Sequence, residues 1–195
     1  INDELVYARQ AKDLRQMMTP DGNGQLPLHR AIQNNVRLGA IKLLVKGNPS
    51  AIRNVDANNF AFPLHVACQH HDSTTVLQYL IGLDIRTLGT VDYDNNTVLH
   101  YACRGAKYDT ITLLLEKYEA VSVSKRNAHK KLPIDILFES SDVLDRDSVE
   151  YTDSVFRLLK AYPETIMNCS MNMIQPADTY ANQNGKKRKL DAVEV

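Results

Sequence analysis

What the chain has little of narrows its function before any motif is read. Its 23 lysines and arginines balance 23 aspartates and glutamates, so the formal net charge is zero. No global field draws it to nucleic acid or an anionic membrane, and neither is expected as a partner. No apolar run approaches the ~20 residues that a membrane-crossing helix needs, and no secretory pattern stands at the start. Only three cysteines are present, and unpaired thiols suit a reducing compartment, which makes an intracellular protein the expectation, cytoplasmic and/or nuclear. No glycine-rich phosphate loop, nucleophile elbow or zinc spacing occurs. Asp21-Gly22-Asn23-Gly24-Gln25 begins like a calcium loop, but Leu26 stands where that loop needs its sixth-place glycine. The triplets Asn95-Asn96-Thr97 and Asn168-Cys169-Ser170 fit a glycosylation acceptor and are set aside without a secretory signal. No acid–base pair can be assigned, so the expectation is no enzyme, no cofactor and no metal.

What is there is a repeat. Leu26-Pro27-Leu28-His29-Arg30-Ala31-Ile32 is followed by Phe62-Pro63-Leu64-His65-Val66-Ala67-Cys68, then Thr97-Val98-Leu99-His100-Tyr101-Ala102-Cys103, then a weaker Leu132-Pro133-Ile134-Asp135-Ile136-Leu137. The histidine position recurs every 35 or 36 residues, a period that signals stacked supersecondary units. Proline suits a first helical residue because its missing N–H is unpaired there anyway. Thr97 can cap its helix through the hydroxyl, whereas Leu26, Phe62 and Leu132 need other means. The leucine, alanine and cysteine positions make one apolar face at helical spacing. Cys68 and Cys103, one repeat apart, read as small core residues, since packed helices hold such positions roughly 8–10 Å apart. The three histidines fall on successive helices and do not converge, so each is expected to bond nearby backbone. Adjacent His70 and His71 point apart on a helix and make a weak metal pair. A second apolar run follows each box, at residues 41–45, 77–81, 111–115 and 156–159.

These boxes resemble the Thr-Pro-Leu-His box of ankyrin repeats, and the Asp21–Gln25 lead-in resembles that family's tip turn. In the third copy Asn95 replaces the tip glycine, and Asn is the next best residue for left-handed backbone. The second and fourth copies, with Ala57 and Phe60, and Asn127 and Lys130, depart from the pattern. The resemblance covers about residues 21–162 and implies an all-α fold: a solenoid of about four stacked helix-turn-helix repeats with short hairpin tips. The expected units are residues 21–56, 57–91, 92–126 and 127–167, the last with an acidic insert at 140–150. Residues 1–20 are read as a capping helix or truncated repeat and 168–195 as a flexible basic tail.

In that family the tips and the outer side of the first helices form a concave recognition face. By position, the resemblance puts on it Arg30 and Gln33; Asn59, Val66, Gln69 and His70; Tyr93, Asp94, Tyr101 and Arg104; and Lys131. Phe60 is either an exposed anchor or packed into its own turn. A protein partner is therefore expected, bound by a monomer. The run Lys186-Lys187-Arg188-Lys189 is similar to a nuclear localisation signal read by an importin-type receptor. Val193 and Val195 fit a short hydrophobic terminal ligand. The chain opens on Ile1 rather than Met, which prompts a second expectation: the regulatory or targeting end of a larger enzyme or channel. A nuclear adaptor is the third.

Overall fold

The computed structural model describes residues 19–21, 25–118, 122–140 and 147–163. All but the last two residues of the expected capping unit at 1–20, most of the acidic insert, the second glycosylation triplet, the basic run and the terminal valines lie outside the described residues. Those residues form eight α-helices: α1 (Pro27–Gln33), α2 (Leu38–Gly47), α3 (Pro63–His70), α4 (Thr74–Leu83), α5 (Val98–Arg104), α6 (Tyr108–Lys117), α7 (Pro133–Ser140) and α8 (Val149–Ala161). Single 3₁₀ turns, Pro49–Arg53 and Ile85–Gly89, follow α2 and α4. No strand occurs among the described residues, where an isolated bridge pairs Val91 with Thr97.

The helices alternate between two layers. α1, α3, α5 and α7 each pack on the next in that series, and α2, α4, α6 and α8 do the same. The box residues explain this. Leu28, Leu64, Leu99 and Ile134 point inward and are buried, as are Ile41, Leu77, Ile111 and Leu158 from the second helices. Each such side chain contributes about 2 kcal/mol by leaving water. The small residues of these boxes lie in the same core: Ala67, Ala102, Cys68 and Cys103 are fully buried. Burial pushes both thiols far up from their ordinary pKa, which keeps them protonated.

Three of the four first helices, α3, α5 and α7, start in one way with different atoms, whereas at α1 His29 Nδ1 takes no hydrogen bond. Leu26, Phe62 and Thr97 are extended, and Pro27 and Pro63 take the first helical position. The N–H of the residue before the helix donates to a side chain three residues on: Phe62 to His65 Nδ1 at 3.2 Å, Thr97 to His100 Nδ1 at 3.1 Å, and Leu132 to Asp135 Oδ2 at 2.8 Å. Asp135 thus replaces histidine in the weak fourth copy. Thr97 alone adds a hydroxyl cap, its Oγ1 accepting from His100 N.

The tips correct the expected register. Asp21, Asp56, Asp92 and Asn127 occupy equivalent places, each donating its backbone N–H across the tip to Gln25, Ala61, Asn96 and Lys131 in turn. Their side chains accept from tip N–H groups in all four copies. The second tip therefore begins at Asp56, not at Ala57, and holds one extra residue. That residue produces the single 36-residue interval. The tips of copies two and four keep the turn despite lacking glycine: Phe60 and Lys130 adopt φ of 55° and 61°, beside 60° for Asn95.

Candidate functional site

Neighbouring tips are bonded to each other. Tyr93 N donates to Asn59 O at 2.9 Å and Ala128 N to Asp94 O at 2.7 Å. Beneath them Asn127 Nδ2 donates to Asn96 Oδ1 at 2.8 Å, and both amides are buried. The box histidines tie one repeat to the next by the same logic. His29 Nε2 pairs with Ala61 O and His100 Nε2 with Lys131 O, both at 3.1 Å. The expectation that these imidazoles bond backbone holds, and for His29 and His100 the backbone belongs to the following repeat. Burial is the main cause that lowers the pKa of all three, to about 4 for His65. The carbonyls of Thr90 and Asn96 face His65 and favour its cation, but burial outweighs them. At Nε2 of His65 no hydrogen bond forms.

A second set of ties runs along the opposite edge, where first helices hand over to second helices. His71 Nε2 pairs with Val36 O at 3.1 Å. Asp72 accepts from Asn35 Nδ2 and from Lys107 Nζ, and its N–H donates to Asn35 Oδ1. The Lys107 and Asn35 bonds hold its carboxyl below the usual carboxylate range. Between the two 3₁₀ turns, Asp84 accepts from Arg86 Nε at 2.9 Å and from Arg53 Nε at 2.7 Å, and its carboxyl stays ionised well below its ordinary pKa. These contacts keep the repeats in register. They leave the outer side of the first helices and the tips as the surface to be read.

On that surface the expected contact residues divide. Arg30, Gln33, Asn59, Tyr93 and Arg104 are exposed, and Gln69, His70, Asp94 and Lys131 half-buried. Burial and Lys107 lower the pKa of His70. Two expectations fail. Tyr101 is only 3% exposed and Val66 7%. Tyr101 sits on the expected helix face, but its hydroxyl donates to Asp92 Oδ2 at 2.9 Å and its ring meets His65 edge-on, so the tip draws it inward. Val66 lies in the same row, one repeat back, and joins the core. Periodicity fixes the direction of a side chain and not its depth.

What stands clear of the surface is aromatic and cationic. Tyr93 is 76% exposed and Phe60 50%, and their rings stack with centroids 6.0 Å apart. The two tips thus present a double ring at their junction. Phe60 was the residue whose two readings the sequence left open; the structure leaves it exposed and packs it on the next tip rather than in its own. Arg104 lies over the Tyr101 ring, 5.1 Å from its centroid. At the first-repeat end Asp21 forms a 3.1 Å ion pair with Arg30, and Gln25, Gln33, Asn34 and Asn58 line a polar recess with them. Lys131 pairs with Glu139 at 2.7 Å.

Among the described residues no group of three His, Cys, Asp or Glu side chains is placed to hold a metal ion. No described helix is long and apolar enough to cross a membrane. A model of one protein family, described as ankyrin repeats in three copies, matches residues 28–127. A comparison with curated proteins found no match.

Proposed function

The chain belongs to the ankyrin repeat family, whose repeats are generally protein–protein interaction modules, and from that membership we propose that it binds a partner protein along its tips and first helices. The family is typically non-catalytic, and the arrangement fits a binding surface better than a reaction centre. The observation that carries the reading is the exposed Phe60–Tyr93 pair at the junction of two tips. Aromatic rings tied to a rigid backbone supply contact area with little entropy left to lose, which is the character of binding hot spots. The hydrogen-bonded tips beneath them provide that rigidity.

The test uses Tyr93→Ala and Phe60→Ala, singly and together, in a pull-down of the full chain followed by mass spectrometry. A specific partner of the wild type is weakened at least about tenfold by the double change, as expected for residues near the centre of an interface. Thermal melting of both variants within a few degrees of wild type separates lost contact from lost fold. A partner held with unchanged affinity by the double variant removes this face from the reading.

A further inference from the structure

The face has a direction, and from it we infer the kind of segment that it receives: an extended stretch of protein chain that seats an apolar side chain on the Phe60–Tyr93 rings and lays carboxylates along Arg104, Lys130 and Lys131. This rests on the groove reading above and specifies its occupant.

Three observations point the same way. The rings are the exposed apolar feature of the tips, and an aromatic pair held open to water gains by being covered. Beyond them, toward the fourth repeat, cations outnumber anions. Arg104, Arg126, Lys130 and Lys131 stand against Asp94, Asp135 and Glu139, and Asp135 is already used by Leu132 N. Among the described residues neither Arg104 nor Lys130 has a carboxylate partner, and Lys131 shares Glu139 only at the surface. Arg104 is held in place by the Tyr101 ring, so little side-chain freedom is left to lose when an anion arrives. Toward the first repeat the balance is different. There Arg30 is compensated by Asp21, and the recess beside them is lined mainly by amides. A segment lying across the face therefore meets neutral polar groups, then aromatic rings, then uncompensated positive charge. The spacing follows from repeat packing. Stacked helices sit roughly 8–10 Å apart and an extended chain advances about 3.3 Å per residue. The carboxylates then fall about three to six residues from the apolar side chain.

The probe is an array of synthetic peptides of about twelve residues, the length an extended chain needs to cross four repeats. Each carries a central Phe or Ala, with Glu or Lys at those offsets, and is titrated with the full chain by fluorescence anisotropy. With wild type the Phe–Glu series binds at least about tenfold tighter than the Phe–Lys series, and the gap shrinks as salt screens it. Arg104→Glu with Lys130→Glu inverts that order. Tyr93→Ala abolishes the preference for Phe over Ala. Equal titration of the Glu and Lys series overturns the inference, as does an order that survives the double charge reversal. If binding then still depends on Phe and on Tyr93, the groove reading stands and the acidic segment alone falls. If Tyr93→Ala changes nothing, both fall.

Discussion

The second and third repeats carry nearly the same box and solve the same problems with different residues. The second starts α3 with proline and lets His65 take the N–H before it; the third has Val98 instead, with Thr97 and His100 sharing the start of α5. The second ends α3 through His71, whose ring accepts from Ser73 N at 3.0 Å and reaches back to Val36. The third ends α5 with left-handed Ala106 at φ 49°, whose N–H bonds Cys103 O while Lys107 N bonds Ala102 O. That pattern is the left-handed helix ending that glycine usually serves. The lesson is that the repeat specifies hydrogen-bond positions rather than residues. Where the atoms come from a replaceable side chain, the copies diverge. Where backbone meets backbone, a single copy can be left with no room for a side chain.

The largest expected effect lies at such a meeting point. Gly105 closes α5, and a Cβ built on it would fall 2.1 Å from Gln69 O at the end of α3. Its φ of −84° is ordinary, so the glycine is needed for space and not for conformation. A carbonyl cannot rotate away as a side-chain end can. Gly105→Ala is expected to cost about 3 kcal/mol, at the upper end of overpacking penalties, and to part repeats two and three. Chemical denaturation checks this. A loss below about 0.5 kcal/mol, the level of a surface substitution, means that the two helix ends slide apart freely.

Acid should act next, and unevenly. His65 is held neutral because burial lowers its folded-state pKa to about 4, while the unfolded chain takes up a proton near 6.5. The unfolded state then binds more protons, so stability is complete above about pH 6.5 and is lost as pH falls toward 4. His29 and His100 shift in the same direction, also by burial, each opposed by one carbonyl of the next repeat. The unfolding free energy from urea titrations between pH 7 and 4 should fall steadily, by about 3 kcal/mol from His65 alone. His65→Gln should flatten the curve more than His100→Gln, because His65 is the more desolvated. Equal slopes for the two variants would break the distinction drawn between these repeats.

A smaller effect isolates the start of α5. Thr97→Val keeps the volume and removes the hydroxyl that accepts from His100 N. About 1 kcal/mol is expected to be lost, the usual worth of a helix cap. At Phe62 there is no side-chain acceptor to remove, and its helix rests on Pro63 and His65 instead. Unfolding of Thr97→Val at wild-type stability would show that His100 Nδ1 carries the start of α5 unaided.

Much of this was legible in the residues. The boxes gave the first helices, and the second apolar runs all fall inside α2, α4, α6 and α8. Proline, histidine and small residues at fixed offsets suffice because they act on the local backbone. The failures share a different origin. Asp56 was missed as the tip residue because an insertion inside a turn is invisible until its hydrogen bonds are traced. Tyr101 was put on the outer face because its burial depends on Asp92, nine residues back, and on His65 in the preceding repeat. The pairing of Arg53 and Arg86 on Asp84 joins connections that no local pattern relates. The charge asymmetry between the two ends of the array lay between these extremes: the cations were plain in the sequence, but which of them lack partners was not.

The finest comparison is between the two left-handed helix endings, Asn35 after α1 and Ala106 after α5, with φ of 58° and 49°. Both bond in the same pattern, Asn35 N to Ile32 O and Val36 N to Ala31 O in the first copy. Asn tolerates this region, and its side chain is further used, tied to Asp72 through both its amide nitrogen and its oxygen. Ala106 has neither advantage: its Cβ crowds the backbone, and its methyl is too small to make a tie. Ala106→Gly should therefore raise stability by about 0.5–1 kcal/mol, the relief of left-handed strain less the greater freedom of glycine in the unfolded chain. Asn35→Gly should lower it, since the strain relieved there is small and two bonds to Asp72 are lost. Opposite signs from one substitution at equivalent positions would show that repeat one secures this ending through a side chain and repeat three through backbone alone. A gain at both would mean that the Asn35–Asp72 bonds contribute nothing to the folded array.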